Sequence, residues 1–277
     1  MELLSVADSL GRSTSDAPRW IEILARVGFV AKGILYATVG LLAGCGGLGY
    51  GGGTTDTRGA MRRLLALPFG RVVLAGIAVG LVGYAVWRCV EGIADPERRG
   101  NDMRAMAVRS SFVARGALHL WLAFSAIQAT MGHASVSSGA QSRQAAATVF
   151  RFPKGEWVVF IVAVGIGGYG AYQIFRAFAA ELHRNVNEHE VTNESGRWLI
   201  VVSRIGIGAR GVVFIAVGLV LFHAAREHDP AKAGGIADAL NEVARFGQWP
   251  FVATAAGLIA YGVYQLLSAR YRRILGS

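Results

Sequence analysis

Lys32, Arg115 and Arg210 stand where a membrane-spanning sequence least tolerates charge. Each follows an arginine (Arg26, Arg109 or Arg204) by six residues and then opens an apolar run. Six residues of helix rise about 9 Å, so with the arginine at the interface the second base lies in hydrocarbon. Charge at that depth is costly unless the side chain snorkels, pairs with an acid, or meets water or an anion. Snorkelling makes these bases interface anchors; pairing would draw on Glu22, Glu91 or Glu181. Convergence makes a cytoplasmic-side ring of cations. Lys32, Arg115, Arg210, Arg26, Arg109 and Arg204 are then the candidate ligands of an anion or an anionic lipid headgroup.

A second set of residues could line a central cavity with them. Four residues beyond each deep base stand Tyr36, His119 and Phe214. Further on, Tyr84, Tyr169 and Tyr261 recur beside glycines, followed by Trp87, Tyr172 and Tyr264 and then by Arg88, Gln173 and Gln265. The i, i+3, i+4, i+7 spacing of the glycines and aromatics puts them on one helix face. As packing residues the tyrosines rest on a flat glycine surface; as site residues their hydroxyls join Arg88, Gln173 and Gln265 around a polar cavity. His119 has no histidine or cysteine at i+3 or i+4, so the spacing predicts no metal or haem ligation and no cofactor. His183 and His189 fall in a polar linker. No Ser-His-Asp, Cys-His or paired-carboxylate arrangement occurs in the apolar stretches, so no catalytic residue is predicted. Cys45 and Cys89 end opposite sides of one hairpin, about 30 Å apart, too far for a disulfide. Leu42-Ala43-Gly44-Cys45 resembles a lipoprotein cleavage box, but cleavage there would remove one of the repeated helices.

The elements that must position these residues are written three times. The stretches starting at Arg26, Arg109 and Arg204 share arginine, five residues, a second base and glycine, with Ala31, Ala114 or Ala209 before the base. Gly80-x2-Gly83-Tyr84, Gly165-x2-Gly168-Tyr169 and Gly257-x2-Ala260-Tyr261 mark a second helix in each unit. Between the two lies a short interfacial segment: 58–67, 140–150 and 236–247. Gly33 and Ala37 form a small-xxx-small pair for close helix approach. Residues 1–23 read as a polar tail with an interfacial turn at 20–24. Three repeats follow at 24–92, 107–182 and 199–271, with linkers at 93–106 and 183–198 and a tail at 272–277.

The 277 residues are 53% hydrophobic and only 17% charged, too apolar for a soluble domain of this length. Six apolar stretches, near 27–45, 71–90, 111–131, 157–177, 199–223 and 249–268, have the length a helix needs to cross a bilayer. Of the 28 Lys and Arg, 18 fall to the side holding both termini and 10 to the other. Basic residues favour the cytoplasm, so both termini are predicted there. The bases cluster at helix ends without interleaved aromatics, which argues against nucleic acid despite a net charge of +10.

In combination, the Arg-x5-Lys/Arg-Gly opening and the Gly-x2-Gly/Ala-Tyr-x2-aromatic ending resemble the bacterial membrane family catalogued as domain of unknown function 1206. The resemblance covers residues 24–270. It implies a six-helix inner-membrane protein of three two-helix repeats, and it implies no activity. Ser111 in place of glycine and His119 in place of an aromatic set the middle repeat apart, and any site is sought there first.

The expected fold is an all-α integral membrane protein. Six transmembrane helices form three parallel helical hairpins in a pseudo-threefold arrangement, with open tandem packing as the alternative. The leading functional expectation is a structural or accessory protein that binds anionic membrane lipid or a membrane-protein partner. An anion-selective channel or transporter is the second, and an enzyme acting on lipid or quinone the third.

Overall fold

The computed structural model describes residues 19–51, 53–93, 100, 102–132, 137–179 and 194–271. Nine α-helices and no strands occur among them. They are α1 (Arg19–Gly47), α2 (Thr57–Leu65), α3 (Gly70–Ile93), α4 (Met103–Thr130), α5 (Ser138–Val149), α6 (Gly155–Phe178), α7 (Glu194–Arg226), α8 (Ile236–Arg245) and α9 (Gln248–Tyr271), with a 3-10 turn at Pro230–Lys232. Each repeat therefore runs long helix, short helix, long helix. The turn expected at 20–24 is instead the first part of α1. Nothing between Arg19 and Gly28 breaks a helix, so a nucleus formed in the apolar run propagates backward.

Among the described residues five helices are long and apolar enough to cross a membrane: Arg26–Gly47, Gly70–Ile93, Gly155–Phe178, Ile200–Arg226 and Gln248–Arg270. The protein is a multi-pass membrane protein. The remaining long helix, α4, does not join those five, because Arg115, His119 and Gln128 dilute its apolar run.

The long helices pack side by side in the order α4, α3, α1, α9, α7, α6. Chain order is thus broken at α1 and α9, where the first helix meets the last. The two outermost members of this series, α4 and α6, are the helices of the middle repeat, and they scarcely touch. At one end of the bundle the short helices close over an apolar core that includes Val39, Ala43, Val217, Leu221, Leu240 and Leu258. The starts of the three short helices meet there. Buried Asp56 caps α2 by accepting from the Gly59 amide at 2.7 Å, and its second oxygen accepts from the Ser138 amide of α5 at 2.5 Å. Asp238 of α8 accepts from the Gly235 amide at 2.8 Å and pairs with Arg143 of α5 at 3.3 Å.

Asp56 thus ties two repeats together through backbone donors. Asp56→Ala removes one N-cap and strands a second amide, so the expected loss is about 2–3 kcal/mol. Denaturant unfolding of detergent-solubilised protein measures it; a change under about 0.5 kcal/mol, the level of an ordinary surface substitution, refutes the tie.

Candidate functional site

Each opening motif assigns a task to three consecutive residues. At about 100° per residue, the alanine before the base and the glycine after it point to opposite flanks of the helix, and the base points between them. Ala31 lies against Gly80 of its own repeat, 3.0 Å from where a Cβ would stand, and Ala209 lies likewise against Gly257 at 2.2 Å. The glycine serves the other flank. A Cβ on Gly33 would come 2.9 Å from the Gly262 carbonyl oxygen, one on Gly211 2.7 Å from that of Gly170, and one on Gly116 3.1 Å from that of Ala85. Gly262, Gly170 and Ala85 are equivalent positions, each following the repeated tyrosine. So the first helix of each repeat packs through its glycine on the second helix of another repeat, and its base is left facing the enclosed centre.

The repeated tyrosines face the same centre. Lys32 Nζ lies 4.1 Å from the Tyr84 ring centroid. The Arg115 guanidinium lies 5.9 Å from Tyr169 and that of Arg210 lies 5.0 Å from Tyr261. Each deep base therefore stacks on the tyrosine of its own repeat. The ring four residues beyond each base packs on the tyrosine of a different repeat. Tyr36 meets Tyr261 at 4.8 Å, His119 meets Tyr84 at 4.5 Å and Phe214 meets Tyr169 at 5.3 Å. The Arg210 guanidinium also lies 5.8 Å from the Tyr36 ring and 4.8 Å from the Phe214 ring, while that of Arg88 lies 5.1 Å from the Tyr84 ring. The bases and rings that recur at these positions are one cluster.

Charge in this cluster is unbalanced. Among the described residues no carboxylate pairs with Lys32, Arg115 or Arg210. Lys32 is buried, and the Nε of Arg210 is buried without a hydrogen-bond partner. Arg115 donates to Ser111 Oγ at 3.1 Å. His119 Nδ1 lies 2.7 Å from the Arg115 carbonyl, which can only accept, so the proton sits on Nδ1. The acid nearby, Glu91, is taken by Arg88, which also donates from Nε to Tyr84 Oη at 2.9 Å. Glu181 lies outside the described residues, as does the side chain of Glu22. Among the described residues, then, the three cations are wrapped in aromatic faces without an acid, and burial of charge on such terms is costly.

The leading arginines do other work. Arg26 donates to the carbonyls of Ala269 and Arg270 at 2.7 and 2.8 Å, closing the end of α9. Arg109 donates to those of Gly92 and Ile93, both at 2.9 Å, closing the end of α3. Orphan carbonyls at a helix C-terminus welcome such a cation. Arg204 is half-buried, and its Nε has no hydrogen-bond partner. Of the remaining residues in the expected cavity, Trp87, Gln173 and Gln265 are buried, Tyr264 packs on Tyr261 at 6.0 Å, and Tyr172 is 54% exposed beneath Arg176. Tyr172 is left uncovered because α6 lacks the neighbour that α3 has on that flank.

That missing neighbour is the middle repeat's own first helix. A Cβ on Gly80 would come 2.7 Å from the Val27 carbonyl and one on Gly28 2.5 Å from Tyr84 Cβ. A Cβ on Gly206 would come 2.5 Å from Tyr261 Cα. At Gly165 and Gly168, the matching positions of α6, nothing lies within 4 Å. Ala31 is buried, whereas its counterpart Ala114 is exposed. The glycine at 28 and 206 is Ser111 here, and its hydroxyl, 2.6 Å from the Val108 carbonyl, also accepts from Arg115. The seam between α4 and α6 is open, bridged by Arg115 reaching toward Tyr169. Sequence reasoning singled out Ser111 as an irregularity but did not foresee the seam, the Arg88–Glu91 pair or the Asp56 tie. Spacing of three residues between Arg88 and Glu91 was the available signal for the pair.

A family model described as Domain of Unknown Function (DUF1206) matches residues 27–95, 110–180 and 205–272. The uncharacterized protein YxxB of Bacillus subtilis (strain 168) is 27% identical over 261 residues, 92% of this chain and 92% of that protein. No solved structure matches the chain.

Proposed function

The chain belongs to the DUF1206 family, and from that premise we propose an accessory protein of the bacterial inner membrane that holds the headgroup of an anionic lipid on Lys32, Arg115 and Arg210. In this reading α4 is the sixth transmembrane helix, its Arg115 and His119 turned to the site. The repeats stand about a pseudo-threefold axis, and both termini are cytoplasmic, where the excess of bases lies. The observation that carries the reading is the meeting of three unpaired cations, one from each repeat, around shared tyrosine rings. In a low-dielectric interior such charges require a counter-ion, and the bilayer's own anions are at hand.

Conduction is less well supported. Away from the bases the bundle is filled by Val39, Ala43, Leu221, Leu240 and Leu258, all buried, so a blind site fits the packing better than a path. Catalysis lacks a nucleophile with a matched base among the described residues.

Native mass spectrometry of protein purified from bacterial membranes tests the reading. Wild type is expected to retain phosphatidylglycerol or cardiolipin in preference to phosphatidylethanolamine. The variant with Lys32→Gln, Arg115→Gln and Arg210→Gln together is expected to lose that preference by at least tenfold. Equal retention by the two proteins sinks the proposal and leaves the bases as membrane anchors.

A further inference from the structure

The geometry points to the open seam of the middle repeat as the doorway of this site: the ligand is a membrane-resident phospholipid whose phosphate enters sideways between α4 and α6, its acyl chains remaining in the seam. The inference rests on the lipid-binding reading above and adds the route and the place of the acyl chains.

Three observations converge on it. The junctions between the other helices are sealed by glycine or alanine against backbone, with would-be Cβ atoms 2.2–3.1 Å from the facing helix at Gly28, Gly33, Gly80, Gly116, Gly206, Gly211 and Gly257. Such contacts admit nothing. At the matching place in the middle repeat, Gly165 and Gly168 face no atom within 4 Å, and Ser110 and Ala114 opposite are exposed. Behind the opening stands Arg115, half-buried, held by Ser111 and reaching toward Tyr169, with Arg210 and Lys32 farther in. The walls are small and, Ser110 apart, apolar, and the back is cationic. Charge complementarity thus favours an amphiphile with a fatty tail and an anionic head over a free anion, which needs no apolar wall. Water reaches a hydrocarbon-level seam poorly, whereas a lipid is already there.

The chosen probe is phosphatidylglycerol, added to detergent-purified protein stripped of lipid, with inorganic phosphate and phosphatidylcholine as comparisons. Gly165→Trp fills the seam from a position that touches nothing. Gly76→Trp, on the exposed face of α3 and equally free of neighbours, serves as control. Gly165→Trp is expected to lower phosphatidylglycerol retention at least fivefold with an unchanged melting temperature, while Gly76→Trp retains it fully. Full retention by Gly165→Trp, or an equal loss by both variants, overturns the doorway. A second readout does not depend on a bulky residue. In the Gly165→Cys protein, phosphatidylglycerol is expected to slow maleimide labelling of the new thiol at least fivefold, whereas phosphatidylcholine and inorganic phosphate leave it unchanged. Labelling slowed by none of the three overturns the doorway too. The two failures are separable. If neutralising the three bases abolishes phosphatidylglycerol binding but filling the seam does not, the site stands and the doorway falls. If neutralising them changes nothing, the site itself falls and the doorway with it.

Discussion

Lipid-free protein carrying Lys32→Gln, Arg115→Gln and Arg210→Gln is expected to melt at a higher temperature than wild type and to ignore anionic lipid. The two effects share one cause. In wild type three like charges face one another across aromatic rings with no acid among the described residues to pair with them, and desolvation is not repaid there by a partner. Glutamine keeps much of the length and polarity of these side chains while removing the repulsion. On the proposed reading, wild type recovers the deficit by binding the lipid. A ligand at 100 times its dissociation constant stabilises by about 2.7 kcal/mol, which for a chain of this size corresponds to a rise of about 5–10 °C. Thermal unfolding in detergent, with phosphatidylglycerol and then with phosphatidylcholine, gives both numbers. A variant that melts lower than wild type yet still responds to phosphatidylglycerol would show that the cations serve packing rather than a ligand.

The second large effect separates two glycines that look alike in the sequence. Gly211→Leu places a side chain where even a Cβ would lie 2.7 Å from the Gly170 carbonyl oxygen. Backbone cannot yield as a side chain can, so α7 and α6 must part. The expected cost is about 3 kcal/mol or more, the upper end for overpacking. Gly165→Leu enters open space and is expected to shift stability of the lipid-free protein by less than about 0.5 kcal/mol. Unfolding free energies of the two variants decide it. Equal costs would mean that the seam between α4 and α6 is as tight as the others.

These contrasts show what the sequence carried and what it withheld. The repeat was legible because alanine, base and glycine recur at fixed spacing, and that triplet encodes flank, centre and flank. The partner of each flank was not legible. Gly33 and Gly206 are both glycines on first helices, yet Gly33 meets another repeat and Gly206 its own. Only the packing order of the helices distinguishes them. The leading arginines were grouped with the deep bases because both are cations near the same interface. Geometry parts them, since Arg26 and Arg109 end on helix-terminal carbonyls. Tyr172 fitted the pattern of Trp87 and Tyr264 but is exposed, because periodicity fixes a face and not what covers it. Ser111 and His119 were visible as departures; that one of them lines an unsealed junction required coordinates.

The meeting of α1 with α9 has a consequence for the order in which the protein comes into being. The flank of α1 that carries Gly33 and Gly40 waits for Gly262 and Ala255, which are made roughly 220 residues later. At roughly 5–20 residues per second, α1 spends tens of seconds with one side unclaimed. During that interval a newborn chain displays the same small-residue stripe to any passing helix, including the α9 of a neighbouring copy. Dense polysomes translating this message therefore create an opportunity for two chains to exchange their last helices. Reordering the chain so that the third repeat directly precedes the first would remove that delay from this pair and transfer it to another.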